Sequence, residues 1–141
     1  MFRRILVPTD GSESALRAAR LAATMAGEQG AEVVLLTVVS VPQSLVMVAG
    51  IQQDVVEEYI EQVGGDALAA AEAVFREAGV GVETKVEVGI ASEVIVQQAQ
   101  ALGADVVVMG RRGLGGLHSI LVGSVSGRVA HHLSVPLLLV P

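Results

Sequence analysis

Four stretches of this chain carry almost no charge and are dense in branched aliphatic residues. They are Ile5–Val7, "AEVVLLTVVSV" from Ala31 to Val41, "ADVVVMG" from Ala104 to Gly110, and "VPLLLVP" from Val135 to Pro141. A strand with one wet face alternates apolar and polar residues; an unbroken apolar run reads as a strand buried on both faces, the mark of a parallel sheet with helices on either side. A fifth stretch, "VGVETKVEV", does alternate: Val82, Thr84, Val86 and Val88 fall on one face and Glu83, Lys85 and Glu87 on the other. That pattern fits an edge strand.

Helical signals fill the gaps. Ser12 is an N-cap candidate, followed by Ala15, Ala18, Ala19, Ala22 and Ala26 at helical spacing, with Gly27 and Gly30 as the end. An acidic segment from about Asp54 to Ala78 has Val55, Val56, Ile60, Val63, Leu68, Ala71 and Phe75 as its expected buried stripe, and Gly64-Gly65 predicts a kink or break. Ser92 is read as the cap of a helix that presents Val94, Ile95, Gln98, Ala99 and Leu102 on one side and stops at Gly103. A last helix runs from Ser124 to about Leu133. "PQSLVMVAGIQQ" reads as an apolar loop: a lid, a partner patch or part of the core.

Strands and helices therefore alternate, which gives an α/β fold with one open, parallel five-stranded sheet and helices on both faces. The amphipathic third strand belongs at an edge. Strands one to three run outward from it in reverse order and strand four returns beside strand one, so the expected strand order is 3-2-1-4-5, Rossmann-like. The 141 residues suit one domain, 1–141.

Apolar residues make up 52% of the chain and the aromatics are only Phe2, Tyr59 and Phe75, so the core is aliphatic. A net charge of −6 opposes general affinity for nucleic-acid backbones. The absence of cysteine removes thiolate chemistry and disulfides. No signal peptide and no apolar run of membrane-spanning length is visible, and the expectation is a soluble, cytoplasmic protein without membrane contact.

In open parallel sheets, ligands bind at the carboxyl ends of the strands where the strand order reverses. Here that crevice falls between strands one and four. Strand one ends in Pro8-Thr9-Asp10-Gly11. Strand four opens "MGRRGLGGLHSILVGSVSGR", Met109 to Arg128, with six glycines and three arginines but no lysine or carboxylate. This segment leads into the last helix, whose N-terminus offers unpaired N–H groups to an anion at Gly123-Ser124-Val125-Ser126. It is neither a P-loop nor the dinucleotide fingerprint, because no Gly-Lys-Ser/Thr and no Gly-x-Gly-x-x-Gly occurs in register. Each feature also has a plainer reading: glycines of a surface loop, hydroxyls that only cap a helix, Arg111 and Arg112 as solvated cations, His131 and His132 placed by a helix dipole, and Asp54, Glu57, Glu58 and Glu61 as a solvated helix face.

Gly110-x-x-Gly113, nine further residues, then Gly123-Ser124 resembles the nucleotide-binding signature of the universal stress protein family. "ILVPTDGSESA", "VVLLTVV" and "SVPLLLVP" resemble the same family, so the likeness spans the whole chain. The complete glycine signature implies its ATP-binding subgroup. On that resemblance Pro8, Thr9, Asp10 and Val38 line the adenine and ribose side. Met109, Gly110, Arg112 and Gly113 approach the ribose and first phosphates, and Gly123, Ser124, Val125 and Ser126 hold the outer phosphates. Mg²⁺ or Mn²⁺ would travel with the triphosphate. The family pairs through its last strand, which implies a homodimer over Val135 to Val140; the uncharged run there independently suits a covered edge. The resemblance implies a stress-response or signalling module acting on a protein partner. No general base is evident, so ATP hydrolysis is expected to be slow or absent, with no catalytic residue assigned and no protein-held metal. The competing reading is an enzyme that hydrolyses nucleotides or transfers AMP on a related fold; its Ser-Gly-Gly-x-Asp-Ser or His-x-Gly-His motifs are missing. Binding of AMP or cyclic AMP stays open.

Overall fold

The computed structural model describes residues 1–49, 52–111 and 124–141. Its elements are β1 (Arg4–Pro8), α1 (Glu13–Gln29), β2 (Glu32–Val39), α2 (Gln43–Ala49), α3 (Gln53–Glu77), β3 (Val82–Val88), α4 (Ala91–Ala101), β4 (Val106–Gly110), α5 (Ser124–His132) and β5 (Leu137–Val140). The five strands form one sheet in the order β3-β2-β1-β4-β5, parallel throughout, as the run of apolar strands predicts.

Successive residues of the central strands point into opposite layers, and both layers are dry. Ile5, Val7, Val33, Leu35, Val106 and Val108 pack under α1 and α3, against the alanine face of α1 and against Leu68, Ala71 and Phe75. Leu6, Val34, Leu36, Val107 and Met109 pack on the other side with Ile95, Ala99 and Val129. Small residues let α1 lie close to the sheet: Ala18, Ala19 and Ala22 are fully buried. Ser12 caps α1 by accepting from the Ala15 N–H at 3.2 Å. The helix runs past Gly27 and ends at Gly30, whose φ of 67° is the left-handed C-cap conformation that glycine adopts without strain.

Four local expectations are corrected. First, "PQSLVMVAGIQQ" contains the short helix α2, which packs against α3. Second, α3 passes through Gly64-Gly65 without a break. A Cβ on Gly64 would sit 2.8 Å from Val86 Cγ1, so this glycine serves close packing of α3 on β3. Gly64→Ala is therefore expected to destabilise the protein although alanine favours a helix by about 1 kcal/mol. In a Val86→Ala background the same change should stabilise by about 1 kcal/mol, and urea unfolding of the four proteins measures the reversal. Third, the buried stripe of α3 is confined to Gly64, Leu68, Ala71 and Phe75, while Val55 and Val63 are exposed. Fourth, Ser92 lies inside the first turn of α4 and is buried; Ile90 occupies the cap position and makes no side-chain cap bond.

β3 is an edge strand as expected, but its faces are not divided into dry and wet. Val86 and Val88 are exposed, whereas Lys85 and Glu87 are half-covered, with Lys85 Nζ donating to Gln98 Oε1 of α4 at 2.8 Å. β5 is shorter than the apolar run that predicted it. It begins at Leu137, and among the described residues it pairs only with β4, at the end of the sheet.

At the amino ends of the strands, the Asp105 carboxylate accepts from the backbone N–H groups of Arg3 and Arg4 at 2.7 and 2.8 Å, tying β1 to β4. These bonds, the one from Arg3 foremost, hold the Asp105 pKa below its ordinary 3.8. Because the folded value is the lower one, the stabilisation is complete above the ordinary carboxylate range and disappears as pH falls through the folded value. Asp105→Asn should thus lower stability at neutral pH, and the gap between variant and parent should close as unfolding is followed into acid.

Candidate functional site

The carboxyl end of β1 is held in one shape by its own residues. The Thr9 N–H donates to Leu36 O at 2.8 Å, continuing the β1–β2 ladder. Thr9 Oγ1 accepts from the Gly11 N–H at 3.2 Å, and Asp10 Oδ1 accepts from the Ser12 N–H at 2.9 Å. Short polar side chains that bond two residues onward make turns of this kind, and Gly11, at φ 80°, supplies the left-handed residue the turn needs. The turn delivers the chain straight into the Ser12 cap of α1.

Beside it, β4 ends at Gly110, directly beneath the first turn of α1. A Cβ there would lie 2.8 Å from both Ala15 N and Ser14 C. Ser14 Oγ donates to Val140 O at 3.0 Å, and the Arg111 N–H donates to the same carbonyl at 2.7 Å, which fastens β5 to the crevice. Ser126 Oγ donates to Arg111 O at 2.7 Å, so α5 is anchored to the exit of β4.

Between these ends lies a cleft of about 120 Å³. Pro8, Thr9 and Asp10 form one wall with Ser12 and Ala15 of α1. Leu36 and Val38 of β2, Ala91 and Ile95 of α4, Met109 and Gly110 of β4, and Val125 and Ser126 of α5 complete it. Of the residues singled out in the sequence, Pro8, Thr9, Asp10, Val38, Met109, Gly110, Val125 and Ser126 meet in this lining. Ser124 starts α5 and is exposed, outside the lining. Arg112, Gly113 and Gly123 lie outside the described residues.

Ser12, Ala15, Leu36, Ala91 and Ile95 were not foreseen in the lining. Leu36 had a signal, since it stands two residues before Val38 and shares its face of β2. Ala91 and Ile95 had none, because only the course of the chain after β3 lays the start of α4 across the cleft. Arg111 also departs from a plain solvated cation: its Nε is buried and has no hydrogen-bond partner among the described residues.

The lining is mainly apolar with a few polar groups at one end, the usual make-up of a small-molecule site. Among the described residues Asp10 is the sole carboxylate in it, and none of its described lining residues is a lysine, arginine or histidine. Among the described residues no three His, Cys, Asp or Glu side chains gather as a metal site, and no helix is long and apolar enough to cross a membrane.

Known proteins share this fold. The protein MJ0577 of Methanocaldococcus jannaschii, a universal stress protein, is 32% identical over 154 residues, covering 99% of this chain and 95% of its own. Its solved structure superimposes with a TM-score of 0.83 over 99% of this chain and 96% of that one. A universal stress protein solved in complex with cAMP aligns at 27% identity and a TM-score of 0.75, covering 99% of this chain and 97% of that one. Another, from Archaeoglobus fulgidus in complex with dAMP, aligns at 25% identity and a TM-score of 0.68, covering 99% and 98% of the two chains. The universal stress protein family model matches residues 1–141. With the 3-2-1-4-5 sheet and the cleft at its strand reversal, this match makes the chain a member of the universal stress protein family.

Proposed function

We propose that the chain is an ATP-binding universal stress protein: a cytoplasmic, homodimeric signalling module whose nucleotide state alters contact with a protein partner. The observation that carries this reading is the convergence of Pro8, Thr9, Asp10, Val38, Met109 and Gly110 on one apolar cleft beside the start of α5. The cleft suits a purine, and the turn hydroxyls and Asp10 suit a ribose. The start of α5, with Ser124, Val125 and Ser126, suits phosphate through its backbone N–H groups. Gly110, Arg112, Gly113 and Gly123 complete the phosphate side by their place in the glycine signature.

Mg²⁺ or Mn²⁺ would accompany the triphosphate, with Asp10 as the carboxylate that the described lining offers toward it. ATP hydrolysis is expected to be slow or absent, because the glycine signature supplies backbone groups and hydroxyls rather than a base to orient water. Dimerisation through β5 would cover the end of the sheet.

Purification followed by release and identification of bound nucleotide tests the reading, with calorimetry against ATP, AMP and cyclic AMP. Micromolar or tighter ATP binding strengthened by Mg²⁺ is expected. Turnover above about ten per second, a dedicated enzyme's pace, would replace it with the enzyme reading. Sedimentation as a monomer at micromolar concentration would remove the dimer. The complexes of relatives with cAMP and dAMP favour a second reading, a site for adenosine monophosphates. Equal affinity for AMP and ATP, unchanged by Mg²⁺, would select it.

A further inference from the structure

Among the described residues, one side-chain nitrogen or oxygen is buried without a hydrogen-bond partner: Nε of Arg111. A guanidinium N–H shut away from water and left unpaired is costly, so it points to a missing acceptor. The backbone that carries it is fixed on both sides. The Arg111 N–H donates to Val140 O at 2.7 Å, and the Arg111 carbonyl accepts from Ser126 Oγ at 2.7 Å. The side chain therefore starts from a point bracketed by two residues of the cleft lining, Gly110 before it in the chain and Ser126 across the hydrogen bond. Arg111 is not in the lining itself, so it stands beside the cleft at the start of α5.

The surrounding chain offers it no anion. From Val106 to Pro141 the sequence contains Arg111, Arg112 and Arg128 but no aspartate or glutamate, in a protein whose net charge is −6. Neither β4, α5 nor β5 can supply a carboxylate, and a second copy paired through β5 would bring the same carboxylate-free strand. On the β1–α1 side, Asp10 Oδ1 accepts from the Ser12 N–H, and Glu13 is exposed and lies 3.9 Å from Arg17. The amino end of α5 adds to the demand, since its dipole favours an anion and opposes a cation. An anion between the two satisfies both.

We propose that Arg111 binds a polyphosphate chain at this point, the outer phosphates of a nucleoside triphosphate, and so favours a triphosphate over a monophosphate. This role rests on the nucleotide reading of the cleft and adds a residue that the glycine signature leaves unassigned. Base and ribose fill the apolar cleft, and a triphosphate reaches further past its edge than a monophosphate does. The acceptor that Nε lacks is then a phosphate oxygen. A guanidinium fork bonds such oxygens in pairs, which an ammonium cannot do.

Calorimetry with ATP and with AMP on the parent, Arg111→Met and Arg111→Lys tests this, beside urea unfolding without ligand. The parent should prefer ATP. Arg111→Met should lose about tenfold or more in ATP affinity, with AMP affinity changed by less than about twofold. Arg111→Lys should fall between. Because methionine removes an unpaired buried donor, ligand-free Arg111→Met should unfold at the parent's urea midpoint or above it; a residue kept for packing would lower it. Inorganic tripolyphosphate is the base-free probe, and it should raise the Tm of the parent but not of Arg111→Met. An unchanged ratio of ATP to AMP affinity in Arg111→Met, a lower urea midpoint, or loss of self-association in place of ATP affinity would overturn the proposal. If the parent binds no adenine nucleotide yet tripolyphosphate still raises its Tm through Arg111, the nucleotide reading falls and the polyphosphate role stands. If the parent responds to neither, both fall.

Discussion

Gly110→Ala is expected to lower stability by about 3 kcal/mol, a fall in Tm of roughly 10 °C for a chain of this size. The added methyl would meet backbone, 2.8 Å from Ala15 N and Ser14 C, and backbone in a capped first turn cannot step aside as a rotamer can. Relief would require α1 to lift from β4, opening contacts of Ala15, Ala18 and Ala19 with the sheet. Ser14 Oγ also lies close to the new methyl, so Ser14→Ala is a useful second change. It removes the hydroxyl and leaves the backbone clash, and it should fail to restore stability. Thermal and urea unfolding of the single and double variants decide this. If Gly110→Ala unfolds like the parent, the close approach of α1 to β4 is wrong. The outcome bears on the glycine signature, since Gly110 is then required by packing whatever ligand the cleft takes.

Val38→Trp is expected to reduce ATP affinity by at least about 100-fold while changing stability by less than about 1 kcal/mol. Val38 is half-buried on the wall of the cleft near the end of β2, so a larger side chain has the cleft itself to grow into. Filling about 120 Å³ with an indole removes the room for a purine and leaves the two packed layers intact. Calorimetry with ATP and with AMP, alongside urea unfolding, separates site loss from unfolding. Full ATP affinity in a folded Val38→Trp protein would move the adenine elsewhere. The result also distinguishes the two ligand readings from site misassignment. A true site loses AMP and ATP together, because both carry the base that the tryptophan displaces.

Most of the fold was legible because its determinants are local. Unbroken apolar runs such as Val33–Leu36 read as strands covered on both sides, and the alternating "VGVETKVEV" belongs at an edge. The strand order and the crevice follow from those two facts and the connection rules. The turn at Pro8–Gly11 was legible for the same reason: its bonds run between residues two apart.

What local pattern could not supply was contact between distant segments. Gly64 read as a helix breaker, yet its job is to make room for Val86, twenty-two residues later. Gly110 read as a residue beside the ribose and first phosphates, and nothing in the sequence hinted that the atoms crowding it belong to Ser14 and Ala15. Val55 and Val63 of early α3 read as core, and both are exposed. Ala91 and Ile95 carry no mark of a binding site until α4 is laid across the cleft. By itself, the sequence determined the parallel sheet, its order, the location of the crevice and the family, because each rests on periodicity, composition or spacing along the chain. Only the tertiary structure decided which glycines are demanded by packing, which apolar residues stay in water and which side chains close the cleft. Those depend on distances between segments far apart in sequence, and no local pattern encodes them.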